Sequence, residues 1–285
     1  MGGLGNQLFM IFAVMSYALD HKIRYRFVSH IEKTMDGKRK TYWNSLLDRL
    51  NNDYGIPTRG MMKYDEPEHT YKPIPDEFAS DGEWLLEGYF QSHKYFQNNY
   101  RQILDILDFP NKIITVKNEY SHFFEKKNIV IHFRLDDYLG LQAYHCIKKP
   151  DYYIHAIIAL QGDLRKRGDD IRNYNILYFC QENDDNIVNQ FLQIIKDTSK
   201  GIPELRDVSY NFQRVPDDIP DWEQMLLMAS CNHFILGNST FSWWGAFLCD
   251  KPDKLVYYPR VWFGPALPDK KITDLCPPEW HMIDA

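Results

Sequence analysis

Hydrophobic and polar positions follow two styles along this chain. In the second half, short continuous apolar runs stop abruptly at polar residues and give way to segments of helical spacing. Asn128–Phe133, Asn175–Cys180, His233–Leu236 and Lys254–Tyr258 read as strands. Tyr152–Leu164, Asp184–Lys200, Trp222–Cys231 and Thr240–Cys249 read as the helices between and after them. Strand–helix alternation of this kind predicts a parallel sheet in an α/β fold. The first half is less regular. Leu8–Leu19 predicts a buried helix with Asn6 as its N-cap. Ile23–Val28 and Glu83–Tyr89 read as strands, and Trp43–Leu50 and Lys94–Leu107 as helices. Asn51–Asp81 is broken by Pro57, Pro67, Pro73 and Pro75 and reads as an irregular excursion. Phe109-Pro110-Asn111 marks a junction, which divides the chain into residues 1–115 and 116–285.

Composition narrows the class. With 285 residues the chain is long enough for one large domain or two modest ones. The net charge is −6, unlike the basic face of a general nucleic-acid binder, so a bound anion must rely on a few local cations and backbone amides. The 44% hydrophobic and 25% charged fractions exclude a disordered or collagen-like chain. The aromatics, 7 Trp, 19 Tyr and 17 Phe, suit sugar stacking but fit an aromatic-rich core at least as well. Five scattered cysteines form no zinc-type cluster and read as free thiols of a reducing compartment. The apolar run Leu8–Leu19 is shorter than the roughly 20 residues a membrane span needs. It also lacks a preceding basic residue and a following cleavage site. The expectation is a cytoplasmic protein without an integral membrane segment.

Three segments carry candidate chemistry. Gly2-Gly3-Leu4-Gly5-Asn6-Gln7 opens a helix, where glycines let backbone N–H groups approach an anion. As a dinucleotide fingerprint it is incomplete, because Leu8 stands at the third glycine position. Next, the strand ending at Phe133 runs into Arg134, Asp136 and Asp137. Ligands of open α/β sheets sit beyond such strand ends, although a structural ion pair of Arg134 with Asp137 explains the same residues. Finally, Gly237-Asn238-Ser239-Thr240 follows a strand and opens a helix, which suits a phosphate or a plain N-cap. Trp243 and Trp244, just beyond it, read as core.

Taken together, five segments resemble the α-1,2-fucosyltransferases of glycosyltransferase family 11. They are Gly2–Phe9, Gly88–Phe96, His132–Tyr138, Asp151-Tyr152-Tyr153 and Asn238–Trp244, in the family's order and over nearly the whole chain. The resemblance implies a GT-B-like α/β fold, two Rossmann-like lobes facing a central cleft. The N-terminal lobe would take the acceptor and the C-terminal lobe the donor. It implies inverting transfer of L-fucose from GDP-β-L-fucose to the 2-hydroxyl of a β-galactoside-type glycan, with no metal or other cofactor. No D-x-D triplet occurs in the chain.

By the same carry-over, Arg134 meets the donor diphosphate, and Asp137 braces its loop or takes the acceptor's proton. Donor contacts fall to Gly3, Gly5, Asn6, Gln7, His132, Glu223, Gln224, Asn238, Ser239, Thr240 and Ser242. The chain departs from the family pattern at Leu135, where a second arginine is expected, and at Gln224, where an aspartate is expected. It also shows no strand before the glycine loop, so either that strand is missing or the start lies upstream. These departures leave two other readings open: a transferase using another nucleotide sugar, and an inactive nucleotide- or sugar-binding protein.

Overall fold

Continuous apolar runs build the second half as the pattern predicts. In the computed structural model, which describes residues 2–28, 40–50, 53–55, 61–79, 82–135, 138 and 140–284, the chain divides into two compact units. One is Met1–Lys112 with Lys270–Pro277, the other Ile113–Asp269 with Pro278–Ala285.

The first unit is built on helix α1 (Leu4–His21) and two short parallel strand pairs. Strand β1 (Phe27–Val28) pairs with β2 (Tyr54–Gly55), and β3 (Met62–Asp65) with β4 (Trp84–Glu87). Asn6 is not the N-cap of α1. Gly3 holds that position in an extended conformation without a side-chain cap, and Asn6 lies inside the first turn. The predicted strand over Ile23–Val28 shrinks to β1, because only Phe27 and Val28 find a ladder partner. The predicted helix Lys94–Leu107 is a tight 3₁₀ turn at His93–Tyr95 followed by α2 (Tyr100–Ile106). Helix α3 (Phe109–Glu119) runs through the Phe109-Pro110 step, with proline in its first turn, where its missing N–H costs nothing.

The second unit holds a six-stranded sheet. Its elements in chain order are β5 (Lys127–His132), α4 (Pro150–Lys166), β6 (Tyr174–Phe179), α5 (Asp185–Ser199) and β7 (Phe212–Arg214). Then come α6 (Asp221–Ala229), β8 (His233–Ile235), α7 (Thr240–Leu248), β9 (Val256–Pro259) and β10 (His281–Ile283). All neighbours are parallel, in the order β10-β9-β8-β5-β6-β7. Numbered within the unit this is 3-2-1-4-5-6 read from β7, the order of dinucleotide-binding sheets, with its reversal between β5 and β8.

Both faces of this sheet are covered, which is why its strands are continuous apolar runs rather than alternating ones. Ile129 and Ile131 pack with Tyr153, Ile157 and Leu160 of α4. Val130, Leu177 and Phe234, of opposite parity, are equally buried. The buried Asn128 pins the start of β5, giving its amide to the Phe123 carbonyl while its N–H meets Asn232. Trp243 and Trp244 are fully buried, as expected. Helices α6 and α7 touch at Gly245, where a Cβ would come within 2.7 Å of Met228. Among the described residues, no helix is long and apolar enough to cross a membrane.

Candidate functional site

The reversal of strand order brings two motif segments together. β5 and β8 are neighbours, with Ile131 opposite Ile235. Their exits, Phe133-Arg134 and Leu236–Ser239, therefore leave the sheet side by side. A Cβ on Gly237 would lie 3.0 Å from the His132 carbonyl oxygen and 3.4 Å from its Nδ1. Glycine is what lets the loops approach this closely. The Asp151-Tyr152-Tyr153 segment fixes both exits from α4. Tyr152 Oη donates to the Leu236 carbonyl at 2.5 Å, and Tyr153 Oη to the His132 carbonyl at 3.3 Å.

Arg134 is half-buried where these two exits leave the sheet. Its Nη1 donates to Gln181 Oε1 at 3.0 Å, and its guanidinium lies 5.4 Å from the centre of the Tyr138 ring. Tyr138 in turn donates to the Asn238 carbonyl at 3.1 Å and stacks on His145. The exits of β6, β5 and β8 are thus tied into one network. Asp137 lies outside the described residues, and with it the expected pairing to Arg134. Leu135 is 1% exposed and belongs to the apolar core, so the position that carries a second arginine in the resemblance adds no charge here.

His132 is 5% exposed, and burial, with Arg134 adding to it, pushes its pKa down to about 3. It is neutral near pH 7, and its Nδ1 has no hydrogen-bond partner among the described residues.

The entry to α7 splits its four polar residues by direction. Ser239 is the N-cap, its Oγ accepting from the Phe241 N–H at 3.3 Å. Thr240 follows, partly exposed. Asn238 is turned inward, where its Nδ2 donates to the carbonyls of Cys146 at 3.0 Å and Trp262 at 2.9 Å. Ser242 is fully buried and donates to the Ser239 carbonyl. Asn238 and Ser242 hold the loop, Ser239 is buried as the cap, and Thr240 is the partly exposed one of the four.

The Glu223-Gln224 pair sits in the first turn of α6. Glu223 accepts from Tyr120 Oη at 2.6 Å, a bond that raises the pKa of the tyrosine. Gln224 is buried, its Nε2 donating to the Ile219 carbonyl at 2.8 Å.

The glycine segment belongs to the first unit. Asn6 Oδ1 accepts from Gln91 Nε2 at 2.9 Å, and the buried Gln7 bonds the carbonyls of Gly2 and Lys40. A Cβ on Gly2 would overlap the Asn6 side chain.

Sequence reasoning missed Gln181, and it named Tyr152 and Tyr153 only as a motif segment, without their anchoring role. Gln181 could have been found by the rule that located Arg134, since it too stands just beyond the end of a buried strand.

Fold and site define an α/β protein with a Rossmann-type sheet whose candidate site residues gather at the switch point. Residues 203–263, which span α6, β8 and α7, match the model of Glycosyl transferase family 11. The chain is 24% identical over 192 residues to the O-antigen biosynthesis glycosyltransferase WbnK of Escherichia coli. That match covers 64% of this chain and 56% of WbnK. It is 24% identical over 311 aligned residues to an alpha-1,2-colitosyltransferase of Escherichia coli, covering 99% of this chain and 97% of that protein. The family model over this one segment and the full-length relative at 24% identity make the chain similar to the fucosyltransferase-like glycosyltransferases of family 11. Among solved structures, the chain is similar to the ADP-heptose lps heptosyltransferase II of E. coli, with a TM-score of 0.35 and 14% identity. It is also similar to a glycosyl transferase family 9 protein of Veillonella parvula, with a TM-score of 0.35 and 9% identity. These cover 61% and 72% of this chain, and 43% and 52% of theirs.

Proposed function

We propose that the protein is an inverting glycosyltransferase that moves L-fucose from GDP-β-L-fucose to the 2-hydroxyl of a β-galactoside-type acceptor. No metal takes part in this reading. The observation that carries it is Arg134, held at the switch point beside the N-terminus of α7.

In such a transfer the acceptor oxygen attacks the anomeric carbon from the face opposite the diphosphate. The carbon–oxygen bond to phosphate breaks, the nucleoside diphosphate leaves with its bonding electrons, and the acceptor hydroxyl gives its proton to a carboxylate in reach or to solvent. The charge the diphosphate gains needs fixed positive partners in a dry site. Arg134, planar and always charged, suits two phosphate oxygens at once. The hydroxyls of Ser239 and Thr240 and the N-terminal dipole of α7 supply neutral partners. Asp137 is assigned to brace this loop. The buried neutral His132 is assigned to the neighbourhood of the nucleoside.

The test is release of GDP from GDP-fucose by purified protein with a β-galactoside. Arg134→Ala removes the turnover while the protein stays folded. Turnover like that of the wild type in this variant overturns the role of Arg134.

A second reading keeps the linkage and changes the donor to a colitosyl nucleotide. Its support is the full-length relative, whose name specifies α-1,2-colitosyl transfer. Calorimetric titration with GDP-fucose, GDP-colitose and UDP-hexoses separates the two. Binding without turnover across an acceptor panel identifies an inactive binding protein instead.

A further inference from the structure

Arg134 and Gln181 meet because of sheet register. His132 pairs with Phe179 across β5 and β6, and the Phe133 N–H donates to the Phe179 carbonyl at 2.9 Å. Continuing that register beyond the ladder sets residue 134 opposite residue 181. In parallel strands, opposed residues project to the same face. The 3.0 Å bond from Arg134 Nη1 to Gln181 Oε1 is therefore built into the sheet.

Gln181 is itself held. It precedes the 3₁₀ turn Glu182–Asp184, and its carbonyl accepts from the Asp184 N–H at 3.0 Å. Just beyond this turn the Asp185 carboxylate is paired with Arg214 at 2.6 Å, and the turn itself is held by the Glu182 backbone N–H, which donates to Asp217 at 2.9 Å.

We propose that Gln181 is a positioning residue that aims the Arg134 guanidinium at the diphosphate of the donor through a neutral oxygen. The assignment rests on the reading of Arg134 given above. An amide oxygen and a carboxylate oxygen reach the same nitrogen with the same geometry. Only the amide does so without adding a negative charge where two phosphates must settle. The remaining guanidinium donors keep their fixed fork, and little is lost in ordering the side chain when the ligand arrives. Gln181 touches no reacting atom in this scheme and acts through Arg134.

The experiment measures GDP and guanosine affinity by calorimetry and competition for the wild type, Gln181→Met, Gln181→Glu, Arg134→Ala and the double variant Arg134→Ala/Gln181→Met. Thermal melting checks that each is folded. Gln181→Met removes the acceptor oxygen at nearly constant length, and GDP is expected to bind about tenfold more weakly. Gln181→Glu keeps the hydrogen bond and is expected to weaken GDP further, since it adds repulsion. Guanosine, which has no phosphate, stays within about twofold in both. In the Arg134→Ala background, Gln181→Met changes GDP affinity by less than about twofold, because nothing remains to be positioned.

Equal GDP affinity in Gln181→Met and the wild type overturns the proposal. So does a loss for guanosine matching that for GDP, or a full additional loss in the double variant. If Gln181→Met does not fold, Gln181→Glu decides, and wild-type GDP affinity there overturns it. A folded wild type that binds no GDP overturns the donor reading itself, and this assignment with it.

Discussion

Tyr152, in the first turn of α4, donates its hydroxyl to the carbonyl of Leu236 at the end of β8, 2.5 Å away. Its neighbour Tyr153 does the same for His132 at the end of β5. One tyrosine pair thereby ties down both strand exits at the switch point. Tyr152→Phe leaves the Leu236 carbonyl without this donor in a buried setting. The expected loss is about 1–3 kcal/mol of stability, seen as a lower Tm by calorimetry, together with weaker GDP binding. An unchanged Tm would show that the bond holds nothing.

Arg134 is expected to resist the conservative replacement. Lys carries the charge but lacks the planar fork and cannot keep both Gln181 and a phosphate pair. Turnover in Arg134→Ala falls by roughly 10²–10³, and Arg134→Lys recovers only a small part of it, with both variants melting like the wild type. Steady-state kinetics with GDP-fucose at saturating acceptor reads the difference.

Two glycines give opposite expectations. Gly237→Ala sets a methyl 3.0 Å from the His132 carbonyl oxygen, backbone that cannot swing away. The two loops must separate, at a cost of about 1–3 kcal/mol, and nucleotide affinity falls with it. Gly162 lies inside α4 with nothing within 4 Å of a built Cβ. Gly162→Ala is expected to raise stability by about 0.5–1 kcal/mol. Urea unfolding of the two variants checks both signs.

Acid destabilises this fold through buried histidines before its carboxylates titrate. His132 is pushed down to about 3 and His233 to about 4, both mainly by burial. The unfolded chain binds protons near pH 6.5 while the native state does not. The stability tied to the neutral rings is therefore complete above pH 6.5 and is lost as pH falls from there toward 4. His233 Nδ1 accepts from the Leu255 N–H, so a proton there also breaks a backbone bond. His132→Gln is expected to lessen the slope of stability against pH between 6.5 and 4 and to leave the slope above pH 7 unchanged. Urea midpoints across that range measure it, and an unaltered slope would remove His132 from the account.

The alternation of apolar runs with helical spacing determined the class of the second unit and most of its element bounds. Buried strands and amphipathic helices are set by residues close in sequence, so the pattern is written locally. For the same reason the chain shows, without coordinates, that Arg134 and Ser239 each follow a strand end. The first unit was less legible. Its strands are only two to four residues long and depend on partners found elsewhere, and Gly3 displaced Asn6 from the cap because the helix began three residues earlier than a capping pattern suggests. The order of the sheet, which makes neighbours of β5 and β8, was decided only in three dimensions. So was the direction of each polar side chain. Asn238 and Ser242 turn inward because carbonyls at Cys146, Trp262 and Ser239 must be satisfied. Gln181 meets Arg134 because two strands far apart in the chain share a register. Residue types and local spacing reside in the sequence, but hydrogen-bond partners across a sheet are chosen by the packing of distant segments.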